Sequence, residues 1–159
     1  MKKLILILAV LLMLPVCALA VSFTAEDING NTVTEAIFSE ADLTIVNVWG
    51  ISCEPCISEL PELAAWAAEL PENARLIGIV TDVTPQDASG LETARKILER
   101  AGVTYTNLLY DESLEPLLSD VIGTPTTLFY DSDGVRVHQS VVGSHMDSCK
   151  AAAAEVLGQ

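Results

Sequence analysis

Basic residues are scarce in this chain, which has 8 lysines and arginines against 22 aspartates and glutamates. No lysine, arginine or histidine occurs between Lys3 and Arg75. An excess of negative charge repels the phosphate backbone of nucleic acids and the headgroups of anionic lipids. The composition therefore argues against nucleic acid as a partner, while the acidity itself is ordinary for a soluble protein surface.

The chain has one long apolar run, Leu4–Leu14, and this run is about half of the ~20 residues that a membrane-spanning helix needs. Two lysines precede it and the small-residue tripeptide Ala18–Ala20 follows it, as in a cleavable signal peptide. We expect residues 1–20 to be this signal peptide and residues 21–159 to form one extracytoplasmic domain. An uncleaved membrane anchor and a lipid-modified Cys17 are the alternatives.

Cysteine is also infrequent, and three of the 4 cysteines lie after the signal segment: Cys53, Cys56 and Cys149. An odd number cannot pair completely within one chain. A close pair with a remote third cysteine is also unlike the spread-out cysteines of a small disulfide-stapled domain. Outside the cytoplasm, however, disulfides persist. The close pair is therefore the candidate for redox chemistry.

Strand-like and helix-like segments alternate along the predicted domain. We expect a hairpin around Asn29-Gly30, strands at 43–49, 75–83 and 106–110, a second hairpin from 126–130 and 135–142, and helices at 57–70, 91–101, 114–121 and 144–157. Ser144 is a candidate cap for the last helix. This order predicts an α/β fold in which a central mixed sheet is covered on both faces.

Cys53 and Cys56 lie at the carboxyl end of a predicted central strand, where open α/β sheets place their sites. Residues three apart share a helix face, so the two thiols can meet if Cys53 stands at the amino end of the next helix. Pro55 requires this start, because proline is tolerated only in a first turn. The positive end of the helix favours a thiolate on Cys53, which leaves Cys56 as the resolving thiol.

Two other chemistries remain open for this pair. His145 and Cys149 could complete a four-ligand metal site with Cys53 and Cys56, as in a metal-binding or metal-delivery module. A redoxin-type peroxidase would need an arginine beside its reactive cysteine, and none lies near Cys53 in the sequence.

Pro125 precedes a predicted strand, and because proline has no N–H to give to a sheet, it suits a strand start or a turn. A cis Thr124–Pro125 bond would leave the backbone of Thr124 free to pair with an extended substrate segment. The alternative is a trans proline that merely starts the strand.

Four motifs together resemble the thioredoxin superfamily, and within it the exported TlpA/ResA-like thiol-disulfide oxidoreductases. They are Asn47-Val48-Trp49, Cys53-Glu54-Pro55-Cys56, Glu59-Leu60-Pro61 and Gly123-Thr124-Pro125-Thr126, the last followed by LFYDSDG. The resemblance runs from about Phe23 to the end of the chain. It implies a thioredoxin-like fold with an N-terminal β-hairpin and a strand-helix insertion before the Thr-Pro segment.

The same resemblance implies the roles of the site residues. Cys53 would be the nucleophile, Cys56 the resolving thiol and Pro125 a cis proline. Glu59, three residues after Cys56, would exchange protons with it. The alternative is a solvated carboxylate that the dipole of the helix favours near its amino end. The residues implied to flank the site and bind substrate are Trp49, Glu54, Pro55, Thr124 and Pro125. For Trp49, a position in the core is the alternative.

Members of this group reduce disulfides in exported proteins, including apocytochromes c before haem attachment. The implied partners are therefore protein disulfides and an upstream thiol electron donor. We expect a monomer with no cofactor beyond the redox-active disulfide. Contact with a membrane would come only through an uncleaved N-terminal anchor.

Two positions depart from the family pattern. Many relatives carry Trp directly before the first cysteine, where this chain has Ser52, and thioredoxin carries a buried Asp where Asn47 stands. The carboxylate that assists Cys56 must then come from elsewhere or be absent. Because no basic residue lies near Cys53 in the sequence, we expect a reductant or mild exchanger rather than a strong oxidant of the DsbA type.

Overall fold

The structure is a computed structural model, and it describes residues 21–159. The predicted signal peptide and the alternative of a lipid-modified Cys17 lie outside the described residues. Within residues 21–159, no helix has both the length and the apolar character needed to cross a membrane.

Seven strands and four α-helices follow one another in the described part. They are β1 (Thr24–Glu26), β2 (Thr32–Thr34), β3 (Leu43–Trp49), α1 (Glu54–Glu69), β4 (Ala74–Val80), α2 (Ala88–Ala101), β5 (Asn107–Leu109), α3 (Glu115–Leu118), β6 (Thr126–Asp131), β7 (Val141–Val142) and α4 (Met146–Leu157). Two 3-10 helices, Glu35–Glu40 and Glu112–Leu114, precede β3 and α3.

The central sheet has the order β5-β4-β3-β6-β7, and β1 pairs with β2 in a separate hairpin. Strands β3, β4 and β5 are parallel, whereas β6 runs antiparallel to β3, and β7 antiparallel to β6. The mixed sheet and the N-terminal hairpin predicted from the sequence are confirmed. All seven residues of β3 are buried, as its uninterrupted run of mostly apolar residues indicates.

The two faces of the sheet are covered by different elements. The steps from β3 through α1 to β4, and from β4 through α2 to β5, go in the same direction, so right-handed crossovers place both helices on one face. Helix α4 packs on this face as well. The core beneath these helices includes the buried side chains of Leu43, Ile45, Leu60, Leu63 and Phe129. The hairpin, the first 3-10 helix and α3 cover the opposite face. There Phe38 and Leu117 of these helices share one core cluster with Val46, Val48 and Leu128 of the sheet.

The second predicted hairpin is only partly formed. Residues 135–142 do not make a continuous strand, because only Arg136 and the short β7 pair with β6. The chain leaves the ladder at His138, whose ring packs edge-on against Phe129 with 5.4 Å between the ring centroids. The edge of the sheet is therefore shorter than the sequence predicts.

Several helix and strand ends also differ from the prediction; α1 and α2, for example, each begin three residues earlier than predicted. Strand β4 ends at Val80 rather than at residue 83, and the helix predicted at 114–121 is a single α-helical turn. Helix α4 begins at Met146, with His145 at its N-cap and no capping side-chain hydrogen bond. The predicted cap at Ser144 is therefore wrong.

Candidate active site

Cys53 and Cys56 form a disulfide at the amino end of α1. Cys53 is the N-cap residue, and its Sγ accepts a hydrogen bond of 3.3 Å from the Cys56 N–H. Pro55 lies in the first turn, where its missing N–H leaves no helical hydrogen bond unmade. The helix start predicted from Pro55 is confirmed, but the rule behind it is not strict, because Pro61 lies inside the same helix.

The two cysteines differ in exposure. Cys53 is half-buried and packs at the margin of the core, whereas Cys56 is completely buried within it. A molecule that approaches from solvent therefore meets Cys53 first. Glu54 and Pro55, between the two cysteines, are exposed at the same surface.

Glu59 is a buried carboxyl one helical turn beyond Cys56. Its Oε1 accepts a hydrogen bond of 3.1 Å from the side-chain amide of Asn47, which is completely buried in β3. Burial raises the pKa of Glu59, and Glu62 adds to this effect. The Ser144 hydroxyl, the Asn47 amide and His145 act in the opposite direction but leave the pKa above its ordinary value. Glu59 of α1 thus places a buried carboxyl beside Asn47, whose own side chain is an uncharged amide.

The position of Trp49 agrees with the core alternative and not with a position at the substrate surface. Its side chain is completely buried, and the indole N–H donates a hydrogen bond of 3.0 Å to Oδ1 of Asn107. Trp49 is therefore a core residue beneath the site and not part of the surface that meets a substrate. Gly78 makes room for this pair, since a Cβ at Gly78 would stand 1.9 Å from the same Asn107 oxygen.

Thr124 and Pro125 lie at the sheet edge that carries the cysteine pair. Thr126 pairs with Val48 across β6 and β3, so the residues just before Thr126 flank the carboxyl end of β3. The Thr124–Pro125 bond is cis, as the resemblance implies. Pro125 is buried and Thr124 is exposed.

Asp82 is a site residue that the sequence does not predict. Its carboxylate accepts hydrogen bonds from the turn that leads to Cys53. The sequence pattern places Asp82 inside the predicted strand 75–83, whereas in the structure it follows the end of β4. Its position after a buried parallel strand, at the edge where sites occur, is the signal that could have identified it.

The metal alternative finds no support in the described part of the chain. There, no three His, Cys, Asp or Glu side chains are grouped closely enough to hold a metal ion. Cys149 is a free thiol, buried on the inner side of α4. Burial raises the pKa of this thiol despite the nearby Thr127 side chain.

Basic side chains of residues 21–159 contact groups other than the cysteine pair. Their partners are Glu40 for Arg75, the Ile28 carbonyl for Arg95, Glu92 for Lys96, Asp120 for Arg136 and Glu62 for Lys150. Arg100 lies in the last turn of α2, which runs away from the active-site edge. The arginine that a redoxin-type peroxidase places beside its cysteine is thus not found in this part of the chain.

Comparison with known proteins gives a family match and curated relatives. The model of the AhpC/TSA family matches residues 16–138. The thiol-disulfide oxidoreductase ResA of Halalkalibacterium halodurans is 28% identical over 124 residues, which are 75% of this chain and 65% of ResA. The thiol:disulfide interchange protein DsbE of Allochromatium vinosum is 32% identical over 100 residues, 62% of this chain and 51% of DsbE. The chain thus spans between half and two thirds of these relatives.

The fold also matches solved structures. A secreted disulfide oxidoreductase of Mycobacterium tuberculosis, homologous to DsbE of E. coli, superposes with a TM-score of 0.64 at 21% identity. The match covers 84% of this chain and 95% of that protein. These matches confirm the thioredoxin-like fold and the resemblance to ResA-like proteins, and the chain belongs to the AhpC/TSA family.

Proposed function

We propose that this chain is an exported thiol-disulfide oxidoreductase that reduces disulfides in extracytoplasmic proteins. The observation that carries the proposal is the Cys53–Cys56 disulfide at the start of α1, with Cys53 half-exposed and Cys56 buried. This asymmetry suits a pair in which one sulfur meets the substrate and the other completes the exchange.

The reaction transfers two electrons from the dithiol to a substrate disulfide. The Cys53 thiolate attacks one substrate sulfur, forms a mixed disulfide and releases the other substrate sulfur as a thiolate, which takes up a proton. The Cys56 thiol then loses its proton and attacks Sγ of Cys53. This step forms the Cys53–Cys56 disulfide and releases the second substrate thiol. An upstream thiol donor returns the pair to the dithiol.

Glu59 is the group that we assign to the proton of Cys56. It lies three residues further along α1, and its buried carboxyl has a pKa raised by desolvation. A carboxyl with a raised pKa is a better proton acceptor near neutral pH than an ordinary glutamate. Asn47 holds the carboxyl in place through its amide hydrogen bond.

Substrate would bind along the active-site edge of the sheet. Glu54 and Pro55 are exposed between the two cysteines, and Thr124 and Pro125 belong to the loop before β6. We expect an extended protein segment to lie across this surface, and apocytochromes c before haem attachment are one candidate class. The disulfide itself serves as the redox centre, so no further cofactor is proposed, and the protein would act as a monomer.

The reducing direction follows from the electrostatics of Cys53. A strong oxidant owes its potential to a stabilised thiolate in the reduced form. In the described residues, the contacts of the basic side chains lie elsewhere, so the amino end of α1 is the main positive influence on Cys53. We therefore propose that the pair donates electrons rather than accepts them.

Trapping of mixed disulfides tests the reaction. Cys56→Ser should hold extracytoplasmic proteins in complexes that dithiothreitol dissolves, because the resolving thiol is missing. Cys53→Ser is the matched control and should trap nothing above background. Equal trapping by both variants, or none by either, would contradict the proposed roles.

A further inference from the structure

The turn that precedes Cys53 is held by one carboxylate. Oδ1 of Asp82 accepts the N–H of Ile51 at 2.8 Å, and Oδ2 accepts the N–H of Ser52 at 3.1 Å. The hydroxyl of Ser52 donates a third hydrogen bond of 2.7 Å to Oδ2. Asp82 therefore binds both backbone donors and the one side-chain donor of the two residues directly before the nucleophile.

Neighbouring residues are fitted to this arrangement. A Cβ at Gly50 would stand 2.9 Å from Oδ2 of Asp82, so any larger residue would push the carboxylate away. The N–H of Cys53 donates to the Gly50 carbonyl at 3.2 Å, which closes the turn. Thr81, beside Asp82, donates its N–H to the Trp49 carbonyl at 2.9 Å. The carboxylate and the turn thus form one connected unit between β4 and α1.

The carboxylate of Asp82 is also charged at neutral pH. Burial raises its pKa, but the Ser52 hydroxyl and the N–H groups of Ile51 and Ser52 outweigh burial and lower the pKa below its ordinary value. Ser52 has a clear function in this arrangement, because it supplies two of the three donors. A tryptophan at this position would supply only the backbone donor.

We propose that Asp82 is a positioning residue that fixes the Cys53 turn and, through its negative charge, disfavours the Cys53 thiolate and so makes the dithiol a stronger reductant. This inference rests on the proposed role of Cys53 as nucleophile. Two further carboxyls, Glu54 and Glu59, belong to the first turns of α1. His145, Tyr105 and Cys149 interact electrostatically with Glu59, and His145 is the one group among these that can carry positive charge. Asp82 differs from the exposed Glu54 because three hydrogen bonds hold its charge in one place.

The sign of the effect follows from the redox reaction. With glutathione disulfide, the protein dithiol gives up two electrons and two protons, forming the Cys53–Cys56 disulfide and two glutathione thiols. A fixed negative charge raises the free energy of the Cys53 thiolate and hence disfavours the reduced form. Removal of that charge should stabilise the reduced form and make the pair more oxidising.

Asp82→Asn is the central variant, because it keeps the shape of the side chain and one oxygen acceptor while removing the charge. We expect a lower thiolate pKa for Cys53 by absorbance near 240 nm. The equilibrium constant for reduction of the pair by glutathione should rise by about threefold to tenfold, and tenfold corresponds to roughly 30 mV. The difference from wild type should shrink in high salt, because a charge effect is screened and a purely structural one is not.

Ser52→Ala is the matched control, since it removes one hydrogen bond to Asp82 and leaves the charge. Its equilibrium constant should shift less than that of Asp82→Asn, and this smaller shift should not shrink in high salt, because the charge is retained. Asp82→Ser provides a second neutral side chain in case Asp82→Asn folds poorly by circular dichroism. Unchanged equilibria in the neutral variants, or an equal shift in Ser52→Ala, would overturn the inference. Failure of the wild-type pair to exchange with glutathione at all would instead contradict the proposed function.

Discussion

The side-chain amide of Asn47 donates a hydrogen bond of 3.1 Å to the carboxyl of Glu59, linking the central strand β3 to helix α1 beneath the disulfide. Both residues are buried. Helix α1 thus contributes the carboxyl group of this pair, and strand β3 contributes an uncharged amide. Because an uncompensated buried charge is costly, this pair should make both stability and thiol exchange depend on pH.

Glu59→Gln should stabilise the protein at neutral pH. Because the folded-state pKa of Glu59 is raised, its protonated form contributes to the stability of the fold at pH values below the ordinary pKa of a glutamate. This contribution is lost as pH rises through the folded-state pKa. Glutamine keeps an oxygen for the Asn47 amide without a charge. We expect a rise in Tm of roughly 2–4 °C, or about 1 kcal/mol, at pH 7 and little change at pH 4.

The same variant should slow resolution of the mixed disulfide if Glu59 accepts the proton of Cys56 as proposed, because glutamine cannot accept it. Stopped-flow measurement of thiol release should show a fall of about 10²-fold, the lower end of the usual range for general base catalysis. Higher stability with an unaltered pH profile of exchange would remove Glu59 from the mechanism and leave it a structural role.

Asn47→Asp should place a second carboxyl about 3 Å from Glu59. Two carboxylates at this distance cannot both ionise without a large cost, so one pKa rises strongly. We expect a loss of about 3 kcal/mol in the free energy of unfolding at pH 7, recovered as pH falls. The double variant Asn47→Asp/Glu59→Gln should recover most of the loss at pH 7; no recovery would contradict the pairing.

The central strand and the helix start could be predicted because each depends on a local signal. Strand β3 is an almost uninterrupted run of apolar residues, and Pro55 restricts where α1 can begin. The contacts of Asp82 and Asn107 could not be predicted in this way. They form only when the ends of separate strands are brought into register, which no local pattern specifies.

The row of Asn47, Gly78 and Asn107 shows this limit. These residues are aligned across β3, β4 and β5, and Gly78 leaves the space that the Asn107 side chain occupies. In the sequence they are separate polar or small residues in predicted strands. Asn107 of this row also accepts the hydrogen bond of the Trp49 indole N–H, so the indole can lie in the core without an unpaired donor.

Gly78→Ala should therefore damage the layer beneath the site. The new Cβ would lie 1.9 Å from Oδ1 of Asn107, so this side chain must move and the Trp49 N–H loses its acceptor. We expect a loss of about 2–4 kcal/mol by urea unfolding. Gly123→Ala is the matched control, because no atom lies within 4 Å of its added Cβ. Equal stability of the two variants would contradict this packing.

Cys149→Ala should leave the glutathione equilibrium of the Cys53–Cys56 pair unchanged. The Cys149 thiol is 2% exposed and burial raises its pKa, so iodoacetamide should label it in wild type only after unfolding. Mass spectrometry of native and denatured samples checks this expectation. Rapid labelling of Cys149 in the native protein, or a tightly bound metal that the variant loses, would favour the metal-binding alternative.

The redox potential of the wild-type pair tests the central claim most directly. Equilibration of the purified protein in dithiothreitol and glutathione buffers, followed by alkylation and mass spectrometry, measures the ratio of dithiol to disulfide. We predict a potential near that of thioredoxin, about −270 mV. A potential near that of DsbA, about −120 mV, would contradict the account.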